Sequence, residues 1–150
     1  MSKAPTIDQR DIFNFRRLSP TLTTSGQPSE EDFAAMAAEG IGTIVNLALP
    51  DSPRALPDEA ATLGALGLRY IAIPVDFAAP REDDYAAFVA AYEGLDGAPA
   101  HIHCAANYRV AAFLYRYRRE RLGWSDAEAR PDLEAIWAPN PLWRAFIGLE

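Results

Sequence analysis

The feature that most constrains this chain is a repeated exchange between two hydrophobic periodicities. From Phe15 to the C-terminus, short β-branched apolar runs alternate with longer stretches of helical spacing. Runs of the first kind suit buried strands and the longer stretches suit helices, so the alternation favours an open, largely parallel α/β sheet. Two extended stretches, Phe15–Ser19 and Leu22–Ser25, flank a turn at Pro20. Ser29 and Asp32 have capping-box spacing at the head of an Ala- and Met-bearing helix that Gly40 ends. Thr43–Leu47 is a candidate buried strand, Asp58–Leu66 a helix closed by Gly67, and Leu68–Ile73 the next strand. Pro80–Tyr92 is a helix with proline in its permitted first turn, Ala100–Cys104 a strand, and Asn107–Leu122 a further helix. Helical pieces over Ser125–Trp137, expected to break near Pro131, and over Pro141–Ile147 complete the chain. The expectation is one α/β domain over residues 1–150, with a mostly parallel sheet of four to five strands flanked by helices. Residues 1–12 are expected to be loosely held.

Composition narrows the function classes. At 150 residues the chain has room for one core and little for a second. A formal net charge of −7 should repel nucleic acid and anionic lipid, so neither is expected as a partner. No apolar run approaches the roughly 18 residues of a membrane span, and MSKAPTIDQRDIF contains no secretory h-region. One cysteine cannot form an internal disulfide, and with two histidines it makes a poor zinc set. A cytoplasmic, reducing location and the absence of metal or other cofactor are therefore expected. Arg116, Arg118, Arg119 and Arg121 suit a solvated surface paired with the acidic excess, while Trp124, Trp137 and Trp143 suit the core.

In sheets of this kind ligands bind beyond the carboxyl ends of the strands, which points to Asn46, Pro74–Phe77 and Cys104–Arg109 together. The segment His101-Ile-His-Cys-Ala-Ala-Asn-Tyr-Arg109 runs from a strand into a helix with the only cysteine at the junction. Unpaired N–H groups and the positive end of the helix dipole both favour a thiolate there. The amides of Ala105, Ala106, Asn107, Tyr108 and Arg109 offer a cradle for phosphate or sulfate, and the Arg109 fork suits two oxygens of a tetrahedral anion. Asn107 is the non-glycine residue type best suited to a left-handed bend. The expected task of His103 is a hydrogen bond that holds the loop. Asn46, polar in an apolar strand, should bond a neighbouring loop or line the pocket. Gln27 has a weaker claim and would satisfy turn backbone. Tyr108 would wall the cleft or pack on the following helix.

These residues resemble the cysteine-dependent protein tyrosine and dual-specificity phosphatase superfamily. The strand–loop–helix context, the His103-Cys104 pair and the downstream Arg109 carry the resemblance. Ser25-Gly-Gln-Pro28, Val45-Asn-Leu47, Ile73-Pro-Val-Asp76 and His103-Cys-Ala-Ala-Asn107 are more closely similar to a bacterial phosphatase-like family. The resemblance implies a protein tyrosine phosphatase-like fold and hydrolysis of a phosphomonoester through a cysteinyl-phosphate on Cys104. It also implies a general acid on an upstream loop, a role that Asp76 suits, with Asp83 and Asp84 as substitutes. The substrate would be a phosphorylated small molecule or a phosphoprotein.

Two departures keep a second function open. Four residues separate Cys104 from Arg109, where the superfamily has five, and Val110 stands where it has Ser or Thr. A shorter loop has one N–H donor fewer, worth about 2–4 kcal/mol of transition-state stabilisation. The alternative is thus a pseudophosphatase that binds phosphate or a phosphorylated partner without turnover. Rhodanese-like sulfur transfer, which also sets a loop cysteine against a helix N-terminus, ranks third.

Overall fold

The computed structural model describes residues 5–149. Strands β1 (Arg16–Ser19), β2 (Leu22–Ser25), β3 (Thr43–Asn46), β4 (Arg69–Ala72) and β5 (Ala100–His103) form one sheet in the order β1-β2-β5-β3-β4. Only β1 is antiparallel to its neighbour, and the other three pairings are parallel. Six helices flank the sheet: α1 (Glu30–Ala38), α2 (Glu59–Ala65), α3 (Glu82–Gly94), α4 (Tyr108–Glu120), α5 (Asp126–Glu134) and α6 (Pro141–Ile147). No helix among the described residues is long and apolar enough to cross a membrane.

Register positions the site. Ser25 pairs with His103, His103 with Asn46, and Asn46 with Ala72, so four strands end level at one edge. The segments leaving β2, β3, β4 and β5 therefore emerge side by side. Side-chain alternation then sorts the two faces. Ile102 and Val45 enter a large core with Val110, Phe113, Leu133 and Trp143. The opposite face carries Ile44, packed with Phe33, Met36 and Leu63, and beside it His101 and His103.

Three boundaries differ from the sequence expectation. Residues 1–4 lie outside the described residues, but over residues 5–12 the expected loose segment is pinned. Ile7 and Ile12 are buried in the smaller core, and Arg10 bonds Asp32 at 2.7 Å. Helix α3 begins at Glu82 rather than Pro80, with Asp84 accepting from the Arg81 N–H. Helix α5 continues through Pro131 without a break. Burial of Ala129 and Leu133, together with Asp132 pairing to Arg16 and Arg118, outweighs the missing N–H. The arginine cluster is also less solvated than expected: Arg118 is buried and lies 4.4 Å over the Trp124 ring.

Candidate active site

Cys104 directly follows β5, at the floor of a loop that reaches α4 four residues later. The bend is made by Asn107, which takes φ +71° as the N-cap of α4. Its side-chain amide donates to the Asn14 carbonyl at 2.9 Å and to Thr24 Oγ1 at 3.1 Å, locking the left-handed turn from two sides.

Three consecutive carbonyls of this loop are held by donors from outside it. The Cys104 carbonyl faces His103 Nδ1 at 3.3 Å, the Ala105 carbonyl accepts from the Gln27 N–H at 3.0 Å, and the Ala106 carbonyl accepts from Asn14 Nδ2 at 2.9 Å. In a planar trans peptide the C=O and the next N–H point in opposite directions. Pinning those carbonyls outward therefore aims the N–H groups of Ala105, Ala106 and Asn107 the other way, as an anion cradle requires. Gly26 makes this approach possible. A Cβ there would lie 2.7 Å from the Ala105 oxygen and 2.8 Å from the Phe13 ring.

Arg109 is buried on the first turn of α4 and donates from Nη1 to the Val75 carbonyl at 2.7 Å, while its Nε has no partner. The guanidinium thus bridges from the β5 loop to the β4 loop. Asp76 follows Val75, is exposed, and accepts from the Ala78 N–H at 2.9 Å. Phe77 anchors the same loop: its carbonyl accepts from Trp143 Nε1 at 2.8 Å and its ring contacts Trp137 and Trp143. Tyr108 stacks on Trp137 at 4.6 Å, joining the cleft wall to the C-terminal helices. Asp83 and Asp84 lie on the exposed first turn of α3, where Asp83 pairs with Arg81 and Asp84 caps the helix.

Polar residues on the other face support the loop. His101 is fully buried between Thr23 Oγ1 and Ser25 Oγ, each at 2.7 Å. Because Ser25 Oγ donates to the Gly26 carbonyl, His101 Nε2 donates to Ser25 and Nδ1 accepts from Thr23. Burial, reinforced by the charges of His103 and Arg17, holds this imidazole well below its ordinary range. His103 meets Glu59 Oε2 at 2.7 Å, and the other Glu59 oxygen accepts from Gln27 at 2.8 Å. Burial alone would raise the Glu59 carboxyl, but bonds and charge from His103, with Gln27 and Tyr70, bring it below the usual range. Asn46 donates to the Tyr70 hydroxyl and accepts from the Ala48 N–H. Asn46, Tyr70, Gln27 and Glu59 line a cleft of about 280 Å³ under the β3–α2 segment.

The sequence-named loop residues are thus brought together: Cys104, the following backbone, Arg109 and the Asp76 loop share one edge. Cys104 itself has no exposed surface, and Asp76 turns toward its own loop. Glu59 was missed, since it looks like an ordinary first-turn helix acid. Its spacing of one residue from the Asp58 cap was the only available signal. Asn14 was missed as well, its positive φ of 51° being the mark of a built turn. Among the described residues, no group of three His, Cys, Asp or Glu side chains could hold a metal ion.

The fold and the Cys104–Arg109 loop define a protein tyrosine phosphatase-like domain. No family model matches the chain. It is 32% identical to the "Putative phosphatase (DUF442)" of Shewanella putrefaciens CN-32, with a TM-score of 0.80 over 92% of this chain and 91% of that one. The chain therefore belongs to the DUF442 family. It shares the fold of the catalytic core of the PP-IP phosphatase Siw14 from S. cerevisiae, at 16% identity and a TM-score of 0.73 over 91% of this chain and 84% of that one. P. aeruginosa TpbA, solved with pTyr, has the same fold at 21% identity and a TM-score of 0.67 over 88% and 76% of the two chains. A "Beta-lactamase hydrolase-like protein" of Agrobacterium fabrum (strain C58) is 33% identical over 98 residues, 63% of this chain. The match spans only 22% of that curated relative's length.

Proposed function

We propose that the protein hydrolyses a phosphomonoester of a small molecule or a phosphoprotein, with Cys104 as nucleophile. The observation that carries this reading is the set of three pinned carbonyls at 104–106, which turns the following amides the other way in the loop that leads to Arg109. Cys104 Sγ attacks phosphorus and the ester P–O bond breaks. Asp76 gives its proton to the leaving oxygen, then takes one from the water that cleaves the S–P bond to release inorganic phosphate. The loop amides and Arg109 bind the equatorial oxygens and stabilise their charge in the transition state. A reducing compartment would keep Cys104 as a free thiol.

Two observations favour the second reading, binding without turnover. Cys104 is fully buried, and Arg109 spends one amine on the Val75 carbonyl. The deciding experiment is hydrolysis of an aryl phosphate from pH 5 to 8, in chelator, by the wild type and Cys104→Ser. Turnover that disappears in the variant supports hydrolysis. Equal inactivity combined with phosphate binding supports the pseudophosphatase.

A further inference from the structure

The two oxygens of the Glu59 carboxylate lead to two adjacent points of the phosphate loop. Oε2 bonds His103 Nε2, whose ring faces the Cys104 carbonyl through Nδ1. Oε1 accepts from the Gln27 side chain, and the Gln27 backbone N–H holds the Ala105 carbonyl. A carboxylate and a carbonyl are both acceptors, so in this arrangement each His103 nitrogen carries a proton and the ring is an imidazolium. We propose that Glu59 is a positioning residue of the phosphate loop, fixing its first two carbonyls and keeping His103 charged beside Cys104. The loop's task as a phosphate site is taken from the function proposed above.

The physical case rests on burial and distance. Glu59 is buried at the first position of α2, where the helix dipole favours its charge, and His103 has no exposed surface. A buried imidazolium whose partner is removed is an uncompensated charge, and it sheds its proton. His103 is bonded to the loop directly and Glu59 only through His103 and Gln27, so the field of the pair at the loop is net positive and favours a bound anion. The other groups packed around the pair do not supply that charge. Strand β4 contributes Tyr70, bonded to Asn46 and facing Glu59, and β5 contributes His101, its ring 6.3 Å away. Helix α2 adds Asp58, which caps its own helix, and α1 adds the apolar Phe33 ring.

Glu59→Gln separates charge from geometry, because an amide can still accept from Gln27 and donate to a neutral His103. The readouts are the ring ¹⁵N shifts of the chain's only two histidines and the dissociation constant of inorganic phosphate. In the wild type at pH 7, one histidine should be neutral and His103 doubly protonated. In Glu59→Gln both should be neutral, and phosphate should bind about tenfold more weakly, as loss of roughly 1.4 kcal/mol gives. Gln27→Ala should leave His103 charged and weaken phosphate only about two- to threefold.

A neutral His103 in the wild type overturns the inference, and this spectrum needs no variant to fold. Unchanged phosphate affinity in Glu59→Gln overturns it too. The outcomes separate from those of the hydrolysis proposal. If the phosphate difference appears while no protein turns over an aryl ester, Glu59 keeps its role and hydrolysis fails. If turnover is present and Glu59→Gln binds phosphate like the wild type, the reverse holds.

Discussion

The loop after β5 has three consecutive carbonyls held by hydrogen bonds, whereas the loop after β4 is held by hydrogen bonds and aromatic packing on either side of Asp76 and leaves that carboxylate in solvent. In the first, carbonyl 104 meets the ring of the preceding His103, and carbonyls 105 and 106 meet donors from the distant Gln27 and Asn14. In the second, Phe77 is gripped by the Trp137 and Trp143 rings and by the Trp143 N–H on its carbonyl, and the Asp76 carboxylate bonds only the Ala78 amide two residues on. Hydrogen bonds fix peptide orientation, so the first loop is preorganised for charge. In the second, the backbone is pinned at Val75 and Phe77, and the exposed Asp76 side chain between them is what can adjust around a leaving group. Arg109, reaching from one loop to the Val75 carbonyl of the other, is the link between them.

The sharpest way to break this arrangement is Gly26→Ala. The added methyl meets a backbone oxygen at 2.7 Å and an aromatic carbon at 2.8 Å, so the Ala105 peptide or the Phe13 turn must move. Overpacking of this kind costs about 1–3 kcal/mol, and a displaced loop amide costs about 10²–10³-fold in rate. Denaturant unfolding and aryl phosphate hydrolysis should both register the change. An unaltered kcat would show that the close approach of β2 to the loop is incidental.

Asp76→Asn tests the other loop, with a smaller effect confined to chemistry. The side chain is exposed and satisfies one local amide, so stability should fall by less than about 1 kcal/mol. If Asp76 is the general acid, kcat on an alkyl phosphate should fall about 10²-fold or more. A nitrophenyl ester, whose leaving group departs without protonation, should lose much less. Asp83→Asn and Asp84→Asn should leave both rates within about twofold. Equal losses on the two esters would remove Asp76 from the proton-transfer role.

Much of this comparison could be read from the residues alone. The strand–helix alternation placed Asn46, Asp76 and Cys104 at one edge, because parallel strands ending in register must release their loops together. The αL bend at Asn107 was legible too, since few other residues adopt that backbone. The supports were legible only in part. His103 could be read as holding the loop and Gln27 as satisfying its own turn. The reach of Gln27 to Glu59, however, spans 32 residues, that of Glu59 to His103 spans 44 and that of Asn14 to Ala106 spans 92. Nothing local distinguishes Asn14 and Glu59 from ordinary turn and helix-end residues. The continuity of α5 through Pro131 was hidden for a related reason: buried neighbours decided it, and propensity did not.

Acid should separate the two loops by a route that needs no substitution in either. His101 lies between Thr23 and Ser25, and Ser25 in turn accepts the Cys104 N–H through its carbonyl. Its folded-state affinity for a proton is held far below the ordinary value of 6.5, first by burial and then by the charges of His103 and Arg17. Above pH 6.5 neither the folded nor the unfolded chain binds this proton, and the group has no effect on stability. Below pH 6.5 the unfolded chain takes the proton that the folded chain refuses, so stability falls toward a limiting slope of about 1.4 kcal/mol per pH unit. The lowered carboxyls, Glu59 among them, add their losses only below about 4.5, which leaves pH 6.5 to 5 as a window apart from them. Since Ser25 connects His101 to the loop, the protection of the Gly26 and Cys104 amides, relative to their intrinsic exchange rates at each pH, should fall across that window before that of Val75, whose N–H bonds the Leu47 carbonyl. Simultaneous loss of protection at all three sites would mean that the two loops open as one unit, and that the difference in how they are held has no consequence for their stability.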